Sequence, residues 1–316
     1  MTRKECYVSS EIGVVVPTKN RPTQIEKLLE SLADQNLSFG QIIIVYNGDD
    51  ISAVINKYSK LLNIELYKSD LAGQLVQRNY GISKLSESIK LVALFDDDIV
   101  VENDAFQSII DFISENDSCA GVSFNIVNQP PEKYSSIKYF MGLTGKGPGQ
   151  VLRSGLTTSN VNVDKNIKAQ WLCGGATIWK KEILSQYKHK DIITKWAIAE
   201  DLIFSFPIGK LHPLYVCAGA HVRHEHVNDY VAAKHEKYLG YNQTIWLYYF
   251  VSKNKELSSP LFFYTLLVRM LGKLLQGLIK IDKKPIYTVE GQFKGMCVCF
   301  KTMLLRNNIE DILNEK

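Results

Sequence analysis

The sequence predicts an α/β protein with a mostly parallel sheet, helices on both faces of that sheet, and a helical C-terminal appendage. Short apolar runs typical of buried strands alternate with segments of helical periodicity in the first half of the chain. Polar residues follow several of these runs, at the strand ends where open α/β sheets bind ligands. Residues 228–316 instead carry long apolar segments interrupted by lysine and arginine. Residues 1–227 are therefore predicted to form the ligand-binding domain.

Five short apolar runs predict the strands of the sheet, and most are rich in the β-branched residues of buried parallel strands. They cover residues 12–16, 42–46, 64–67, 91–95 and 119–127. The first run is expected to stop at Pro17. Between the runs, apolar residues spaced three and four apart predict helices, for example at Ile25, Leu28, Leu29 and Leu32. Strands and helices that alternate with short connections favour a parallel sheet.

Residues 128–168 interrupt this alternation with prolines and glycines and hold few apolar runs. They are predicted to form either a surface insertion or a lid over the site, because long loops in compact domains are commonly functional. Regular structure is expected to return at Trp171. A helix is predicted near Glu200, and a strand at residues 214–217.

The composition places the chain among ordinary globular proteins and excludes a disordered or collagen-like chain, since 46% of the residues are hydrophobic. The six cysteines are scattered without zinc-finger spacing, which favours reduced thiols in a cytosolic protein. No apolar signal segment is visible in the first thirteen residues. We therefore expect a cytoplasmic protein.

The excess positive charge lies in the C-terminal part. The chain carries 37 Lys/Arg and 33 Asp/Glu; residues 1–227 have a net charge of −1 and residues 228–316 a net charge of +5. A mild excess of this kind does not predict a nucleic-acid partner.

Two apolar segments, residues 245–251 and 261–281, lie in this basic part of the chain. The second is long enough to span a bilayer, but Arg269, Lys273 and Lys280 interrupt it, and a charge in mid-bilayer is costly. A basic amphipathic helix at a membrane surface is one interpretation. A helical pair packed on the first domain is the other. We expect residues 245–281 to contact the cytoplasmic face of a membrane.

Three adjacent carboxylates, Asp96, Asp97 and Asp98, directly follow the buried strand at residues 91–95. Neighbouring like charges repel each other and raise each other's pKa unless a cation neutralises them. Oxygen ligands of this kind suit Mg²⁺ or Mn²⁺. The triplet therefore predicts a divalent-metal site in which Asp96 and Asp98 share a face. A solvated acidic turn is the alternative.

Four motifs at strand ends and on one helix resemble glycosyltransferase family 2. They are Pro17-Thr18-Lys19-Asn20-Arg21, Asn47-Gly48-Asp49, Gln77-Arg78-Asn79-x-Gly81 and the triplet Asp96-Asp97-Asp98. The resemblance covers about residues 11–226. It implies a Rossmann-like sheet of the GT-A type, a nucleotide-diphosphate-sugar donor, and a DXD motif in the Asp triplet. It also implies a nucleotide-sugar half at about 1–127 and an acceptor half at about 128–227.

The resemblance implies a set of donor-binding residues. Asp49 is the nearest match to the acidic residue that contacts the base, although Tyr46 and Asn47 stand where an Asp is often found. The set of nucleotide-sugar-binding residues comprises Pro17, Thr18, Asn20, Arg21, Asn47, Asp49, Arg78, Asp96, Asp97, Gly174 and Gly175. In this pattern Asp96 faces the ribose and Asp98 ligates the metal.

The second half supplies the remaining implied site residues. Glu200-Asp201 matches the family's ED motif, in which the Asp is the general base; the alternative is that both acids only favour a helix N-terminus. The pair Gly174-Gly175 either lies beneath the sugar and acceptor or forms a tight turn or bulge. His224 matches a position that can complete the metal shell, with His221 and His226 nearby. Three tryptophans could stack on sugar rings or pack in the core: Trp171, Trp179 and Trp196.

These features together predict an inverting, Mn²⁺- or Mg²⁺-assisted glycosyltransferase of polysaccharide biosynthesis. The sugar would pass from a nucleotide-diphosphate donor to a glycan or lipid-linked saccharide. One alternative is a sugar-phosphate nucleotidyltransferase, although residues 17–22 lack the Gly-rich loop that such an enzyme needs. The other alternative is a catalytically idle, membrane-associated partner subunit, which would have no need of the uncompensated acids.

Overall fold

The computed structural model describes residues 7–190, 192, 198–225 and 233–313. The chain divides into two compact units. The first unit comprises Met1–Glu132 and Ser159–Val227, and the second comprises Lys133–Thr158 and Asn228–Lys316. The sequence placed residues 133–158 in the acceptor half of the first domain, whereas the structure groups them with the C-terminal helices.

The first unit is built on one mixed sheet, which has nine strands among the residues that the structure describes. The strands are β1 (Ile12–Lys19), β2 (Gln41–Asn47), β3 (Ile64–Lys68), β4 (Leu91–Phe95), β5 (Ile99–Val101), β6 (Gly121–Ile126), β7 (Ile167–Ala169), β8 (Ala176–Lys180) and β9 (Leu214–His224). The helices of this unit are α1 (Pro22–Ala33), α2 (Ser52–Tyr58), α3 (Gln74–Ile82), α4 (Ala105–Glu115), α6 (Lys181–Gln186) and α7 (Glu200–Gly209), with a 3₁₀ turn at Ser9–Glu11.

The sheet has the strand order β3-β2-β1-β4-β8-β6-β9-β5, with β7 beside β9. The pairs β3–β2, β2–β1 and β1–β4 are parallel, as predicted. Strand β8 then runs antiparallel to both β4 and β6, and β9 is parallel to β6. The predicted α/β class is confirmed, but the sheet is mixed because β8, β5 and β7 run against their neighbours.

This topology brings several chain segments to one edge of the sheet. Strands β1, β2 and β4 end there because they are parallel, and Thr18 lies opposite Tyr46 in the register. The antiparallel β8 begins at the same edge, with Ala176 opposite Phe95. Strand β9 points the same way as β4 and ends at His224. The Asp triplet, the first loop, the glycine pair and His224 therefore meet.

Buried side chains cover both faces of the sheet. Val14 and Val16 of β1 pack in a cluster with residues of α1 and α4, whereas Val15 packs in a second cluster with Trp179 and Phe204. Alternate strand residues point to opposite faces, so β1 is covered on both sides. Strand β1 also continues to Lys19 instead of stopping at Pro17. Pairing with β4 ends at Val15, so the missing N–H of Pro17 breaks no bond to that strand.

The second unit is helical. It contains α5 (Ser136–Phe140), α8 (Ala233–Lys253), α9 (Ser259–Lys280), α10 (Lys284–Leu305) and α11 (Glu310–Leu313). Helices α8 and α10 approach closely at glycines: a Cβ on Gly291 would lie 2.0 Å from the carbonyl oxygen of Lys237, and one on Gly240 2.2 Å from that of Thr288. Residues 133–158 join this unit through Gly155, which lies against Val251.

The predicted membrane segment, residues 245–281, has two different environments in the second unit. Its first part, 245–251, is almost entirely buried in α8, including Trp246, Tyr249 and Phe250. Helix α9 is the one described helix whose length and composition would allow it to cross a membrane. Residues 245–251 are therefore core residues of this unit and cannot contact lipid in this conformation.

Candidate active site

The three carboxylates of the Asp triplet have different partners. Asp97 accepts a hydrogen bond from Thr18 Oγ1 at 2.7 Å and one from Arg21 Nη1 at 2.9 Å. These contacts join the turn after β4 to the loop after β1. Burial raises the pKa of Asp97, and the bonds from Thr18 and Arg21 oppose that shift. Asp97 therefore links the turn after β4 to the loop after β1, and its carboxylate is not part of the cluster that Asp96 and Asp98 form.

Asp96, Asp98 and His224 form a cluster in which one ligand atom from each lies within 4.8 Å of the others. His224 Nε2 lies 2.9 Å from Asp98 Oδ1, and Arg21 Nη1 lies 3.3 Å from Asp98 Oδ2. Burial disfavours the charged imidazole, but the hydrogen bond and charge of Asp98 raise the pKa of His224 overall. Two carboxylates and one imidazole that converge in this way suit Mn²⁺, and they also accommodate Mg²⁺.

Arg78 connects this cluster to α7. Its side chain is 1% exposed and lies 2.5 Å from Asp96 Oδ1 and 2.5 Å from Glu200 Oε1. Gln74, one turn earlier on α3, also donates to Asp96 Oδ1. A guanidinium can bind two carboxylates at once because its N–H groups form a planar fork. Arg78 thereby pairs with the buried Glu200 and the partly buried Asp96, which come from different parts of the chain.

The two acids of the ED motif have opposite electrostatics. Glu200 is buried, but the charge of Arg78 lowers its pKa to about 2. Burial, helped by the charge of Glu200, raises the pKa of Asp201 to about 7. Asp201 accepts hydrogen bonds from the backbone N–H groups of Gly174 and Leu202, at 3.0 and 2.7 Å. At neutral pH Asp201 is therefore the stronger base, whereas Glu200 is held by Arg78.

The glycine pair lies between Asp201 and the cluster of Asp96, Asp98 and His224. A Cβ on Gly174 would lie 2.6 Å from Asp201 Cβ, and a Cβ on Gly175 would lie 3.2 Å from His224 Cε1. The carbonyl of Gly175 accepts a hydrogen bond from the N–H of Asp96 at 2.9 Å. Packing within the protein alone therefore requires a residue without a side chain at position 174. The contact of this pair with a sugar stays a prediction.

Asn20 links the loop after β1 to the loop after β2 by a hydrogen bond. Its Oδ1 accepts a hydrogen bond from the N–H of Asp49 at 2.9 Å, and its φ is +56°. Gly48 has a φ of +95°, and a Cβ there would lie 1.9 Å from Asn20 Oδ1. Asn47 donates a hydrogen bond to the carbonyl of Ser69 at 2.8 Å. The side chain of Asp49 is exposed.

Three residues that were not among the predicted site residues also make contacts at this edge. Gln77 donates to the carbonyls of Thr18 and Val45, and Asn128 exchanges two hydrogen bonds with the backbone of His224. His189 lies 3.6 Å from Glu200 and stacks on Phe204. Gln77 was within a recognised motif, but nothing in the local sequence pointed to Asn128 or His189.

Other predicted residues lie away from the cluster or outside the described part. Trp171 and Trp179 are buried, so both pack in the core instead of facing a sugar. His221 is about half exposed and lies 3.6 Å from Glu102. Trp196 and His226 lie outside the described residues.

This mixed sheet with its flanking helices is a fold of the GT-A type. The mannosyltransferase PcManGT from Pyrobaculum calidifontis, solved in complex with GDP-Man and Mn²⁺, is similar with a TM-score of 0.56; it is 11% identical and the match covers 93% of this chain and 90% of that one. S. aureus TarS is similar with a TM-score of 0.50 at 17% identity, over 79% of this chain and 41% of that one. Likeness at these identities shows the fold.

Residues 13–187 match glycosyl transferase family 2, and the chain belongs to this family. The predicted resemblance to this family is thereby confirmed. The Minor teichoic acid biosynthesis protein GgaA of Bacillus subtilis (strain 168) is 25% identical over 200 residues, which is 61% of this chain. The chain spans 42% of the length of that relative.

Proposed function

We propose that this chain is an inverting glycosyltransferase that moves a sugar from a nucleotide-diphosphate donor to a glycan or lipid-linked saccharide. The observation that carries the proposal is that Asp96, Asp98 and His224 meet at one edge of the sheet. Asp201 is bound to the same edge through the N–H of Gly174. The neighbour PcManGT was solved with GDP-Man and Mn²⁺, which supports a nucleotide-sugar donor and a divalent ion. The name of GgaA, a minor teichoic acid biosynthesis protein, supports an acceptor in teichoic acid biosynthesis.

Donor binding is assigned to the loops at the ends of β1, β2 and β4. We assign contacts with the nucleotide to the segments 17–21 and 47–49, which are joined by the hydrogen bond from the N–H of Asp49 to Asn20 Oδ1. Asp96, Asp98 and His224 would hold the ion. A divalent ion in this position stabilises the charge that develops on the departing nucleotide diphosphate.

Asp201 is assigned as the general base. It takes the proton from the acceptor hydroxyl as that oxygen attacks the anomeric carbon, while the bond from the anomeric carbon to the phosphate oxygen breaks on the opposite face. A single displacement of this kind inverts the anomeric configuration. Glu200 has a positioning role, because its carboxylate is committed to Arg78. The reaction is placed at the cytoplasmic face of a membrane, where a lipid-linked acceptor would be presented.

The proposal is tested by thermal-shift and calorimetric titration of the full chain with UDP- and GDP-sugars, with and without Mn²⁺. Binding should raise the unfolding temperature by mass action. Asp98→Asn should abolish the Mn²⁺-dependent part. Asp111→Asn, an exposed acid on α4, is the matched control and should bind as the parent does. Equal Mn²⁺ dependence in both variants would remove Asp98 as a ligand.

A transfer assay separates this proposal from the idle-subunit alternative. The parent chain should produce a glycosylated acceptor with inverted configuration, measured by mass spectrometry and NMR of the anomeric proton. A chain that binds donor and ion but transfers sugar to no saccharide acceptor and no water would support the idle subunit. The nucleotidyltransferase alternative is set aside because the chain is a family 2 glycosyltransferase.

A further inference from the structure

The second unit exposes an unusual amount of apolar side chain. Twenty of the twenty-four exposed large apolar residues in the described part of the chain belong to it, and only four belong to the first unit. Scattered exposed apolar residues are normal on soluble proteins, but contiguous apolar faces mark interaction sites. Most of the exposed apolar residues of the second unit lie on α9 and α10.

Helix α9 presents one side that is exposed and apolar along its whole length. The side chains on this side recur at intervals of three and four, as neighbours on one helix face do: Leu261, Tyr264, Leu267, Leu271, Leu275 and Leu278. No charged residue interrupts this series. The opposite side carries Phe262, Leu266 and Met270, which are buried in the second unit.

Helix α10 continues this surface. Four of its six exposed large apolar residues recur at intervals of seven, seven and four, which also places them on one side: Ile286, Phe293, Phe300 and Leu304. The rings of Phe263 on α9 and Phe300 on α10 lie 5.9 Å apart, so the two apolar sides adjoin. We call these two sides together the α9–α10 surface.

The charge of the second unit indicates what covers this surface. Residues 133–158 add four basic and no acidic residues to the C-terminal segment, so the second unit has a net charge of +9 and the first unit −5. Exposed basic residues accompany the apolar sides at Lys280, Lys283, Lys284, Lys294, Lys301 and Arg306. Apolar faces flanked by lysine and arginine are typical of helices that lie on anionic lipid.

Two other arrangements fit less well. A second copy would bring two units of net charge +9 together, and like charges at an interface oppose association. A membrane-spanning α9 would place Arg269 and Lys273 near mid-bilayer, where charges are costly. It would also have to leave the packing of Phe262 and Met270.

We propose that the α9–α10 surface lies flat on an anionic bilayer and anchors the protein there as a peripheral protein. The proposal rests on the membrane location given above and specifies its surface, its partner and its orientation. It replaces the buried residues 245–251 of α8 as the contact with lipid.

The test is co-sedimentation of the full chain with vesicles of phosphatidylcholine, with and without about a third phosphatidylglycerol. We expect binding to the anionic vesicles that weakens as salt rises. The double variant Leu271→Glu with Leu278→Glu should lose at least tenfold in partition coefficient. Its matched control is Leu61→Glu with Leu211→Glu, which alters equally exposed leucines of the first unit, at 72% and 70% exposure, and should bind as the parent does.

Three outcomes would overturn the proposal. They are unchanged binding in the α9 double variant, retention on vesicles after washing at high salt and alkaline pH, as a spanning helix shows, and a dimer in solution that the same variant dissociates. Donor binding with Mn²⁺ is measured on the same preparations. A chain that binds anionic vesicles but no donor would contradict the proposed chemistry alone. A chain that binds donor but no vesicles would contradict the lipid surface alone.

Discussion

At the scale of single residues, the site separates the tasks of acids that are close together in the sequence. Asp97 binds Thr18 and Arg21, whereas Asp98 contacts His224. Glu200 binds Arg78, whereas Asp201 accepts two backbone N–H groups. In both motifs, neighbouring acids therefore have different partners.

The pKa of Asp201 predicts the pH dependence of transfer. A general base acts in its ionised form, so the rate at saturating donor should fall as the pH drops through about 7. Asp201→Asn should retain donor binding and lose transfer by roughly 10²–10⁴-fold. Glu200→Gln should move the acidic limb to lower pH, because the charge of Glu200 contributes to the raised pKa. An unchanged limb in Glu200→Gln would contradict this electrostatic coupling.

The buried contact of Arg78 with Glu200 predicts a coupled effect on stability. Arg78→Met leaves buried carboxylates without a cation and should cost about 3–5 kcal/mol of unfolding free energy. Combining it with Glu200→Gln should cost less than the sum of the two single changes, by about 1–3 kcal/mol. The measurement is a double-mutant cycle in urea.

An exposed ion pair provides the control for that cycle. Lys57 pairs with Glu26 at 2.6 Å, but its side chain is 60% exposed. Lys57→Met should therefore leave the free energy of unfolding nearly unchanged. Additive effects of Arg78→Met and Glu200→Gln would show that the buried contact carries no coupling energy.

At the scale of elements, glycines determine how closely α8 and α10 pack. Gly291→Ala should destabilise the second unit by about 1–3 kcal/mol or more, because the new methyl group meets the Lys237 carbonyl. Gly272→Ala on α9 is the control: a Cβ there meets nothing within 4 Å, and alanine is the better helix former by about 0.5–1 kcal/mol. Calorimetric unfolding should show opposite shifts, and shifts of equal sign would contradict the packing argument.

The elements that carry the edge of the sheet were predictable because their signals are local. Strands β1 to β4 follow from short apolar runs, and the loops after β1, β2 and β4 follow from motifs. The direction of β8 was not predictable, because pairing with β4 and β6 joins residues far apart in the chain. Family membership and the α/β class are confirmed, whereas the roles of the individual site residues stay predictions.

Burial in the second unit could not be predicted for a related reason. The apolar run at residues 245–251 would look the same in a protein core and at a membrane surface. Its environment is decided by α10, whose Gly291 and Gly295 approach Lys237 and Thr244 from about fifty residues away. Likewise, the contact of Arg78 with Glu200 joins positions 122 residues apart, and no local pattern encodes it.

At the scale of the whole molecule, each compact unit contains chain from two separate stretches. The short stretch 133–158 belongs to the second unit, where Gly155 lies against Val251 and the carbonyl of Arg153 accepts the N–H of Ser258. Its membership changes the charge of both units, because its basic residues count with the C-terminal helices. A boundary drawn at residue 227 therefore divides the sequence but cuts through the packing of the second unit.

A variant ending at residue 227 should show this dependence. Without α8 and α9, residues 133–158 lose their packing partners, so trypsin should cleave at Lys138, Lys146 or Arg153 at least tenfold faster than in the full chain. Cleavage after Lys57 and Lys60 in the first unit is the internal control and should proceed at the same rate in both proteins. Mass spectrometry of timed digests measures both rates, and equal protection of residues 133–158 would contradict the assignment to the second unit.

The discontinuity of the second unit has a consequence for biosynthesis. On the ribosome, residues 133–158 emerge before the helix that covers them, and Val251 follows Thr158 by 93 positions. At ordinary elongation rates of about 5–20 residues per second, this stretch waits roughly 5–20 s for its partner. Leu143, Leu152 and Leu156, which are partly buried in the folded protein, are accessible to chaperones during that interval. Slow translation of the C-terminal helices would lengthen the wait and favour aggregation of nascent chains.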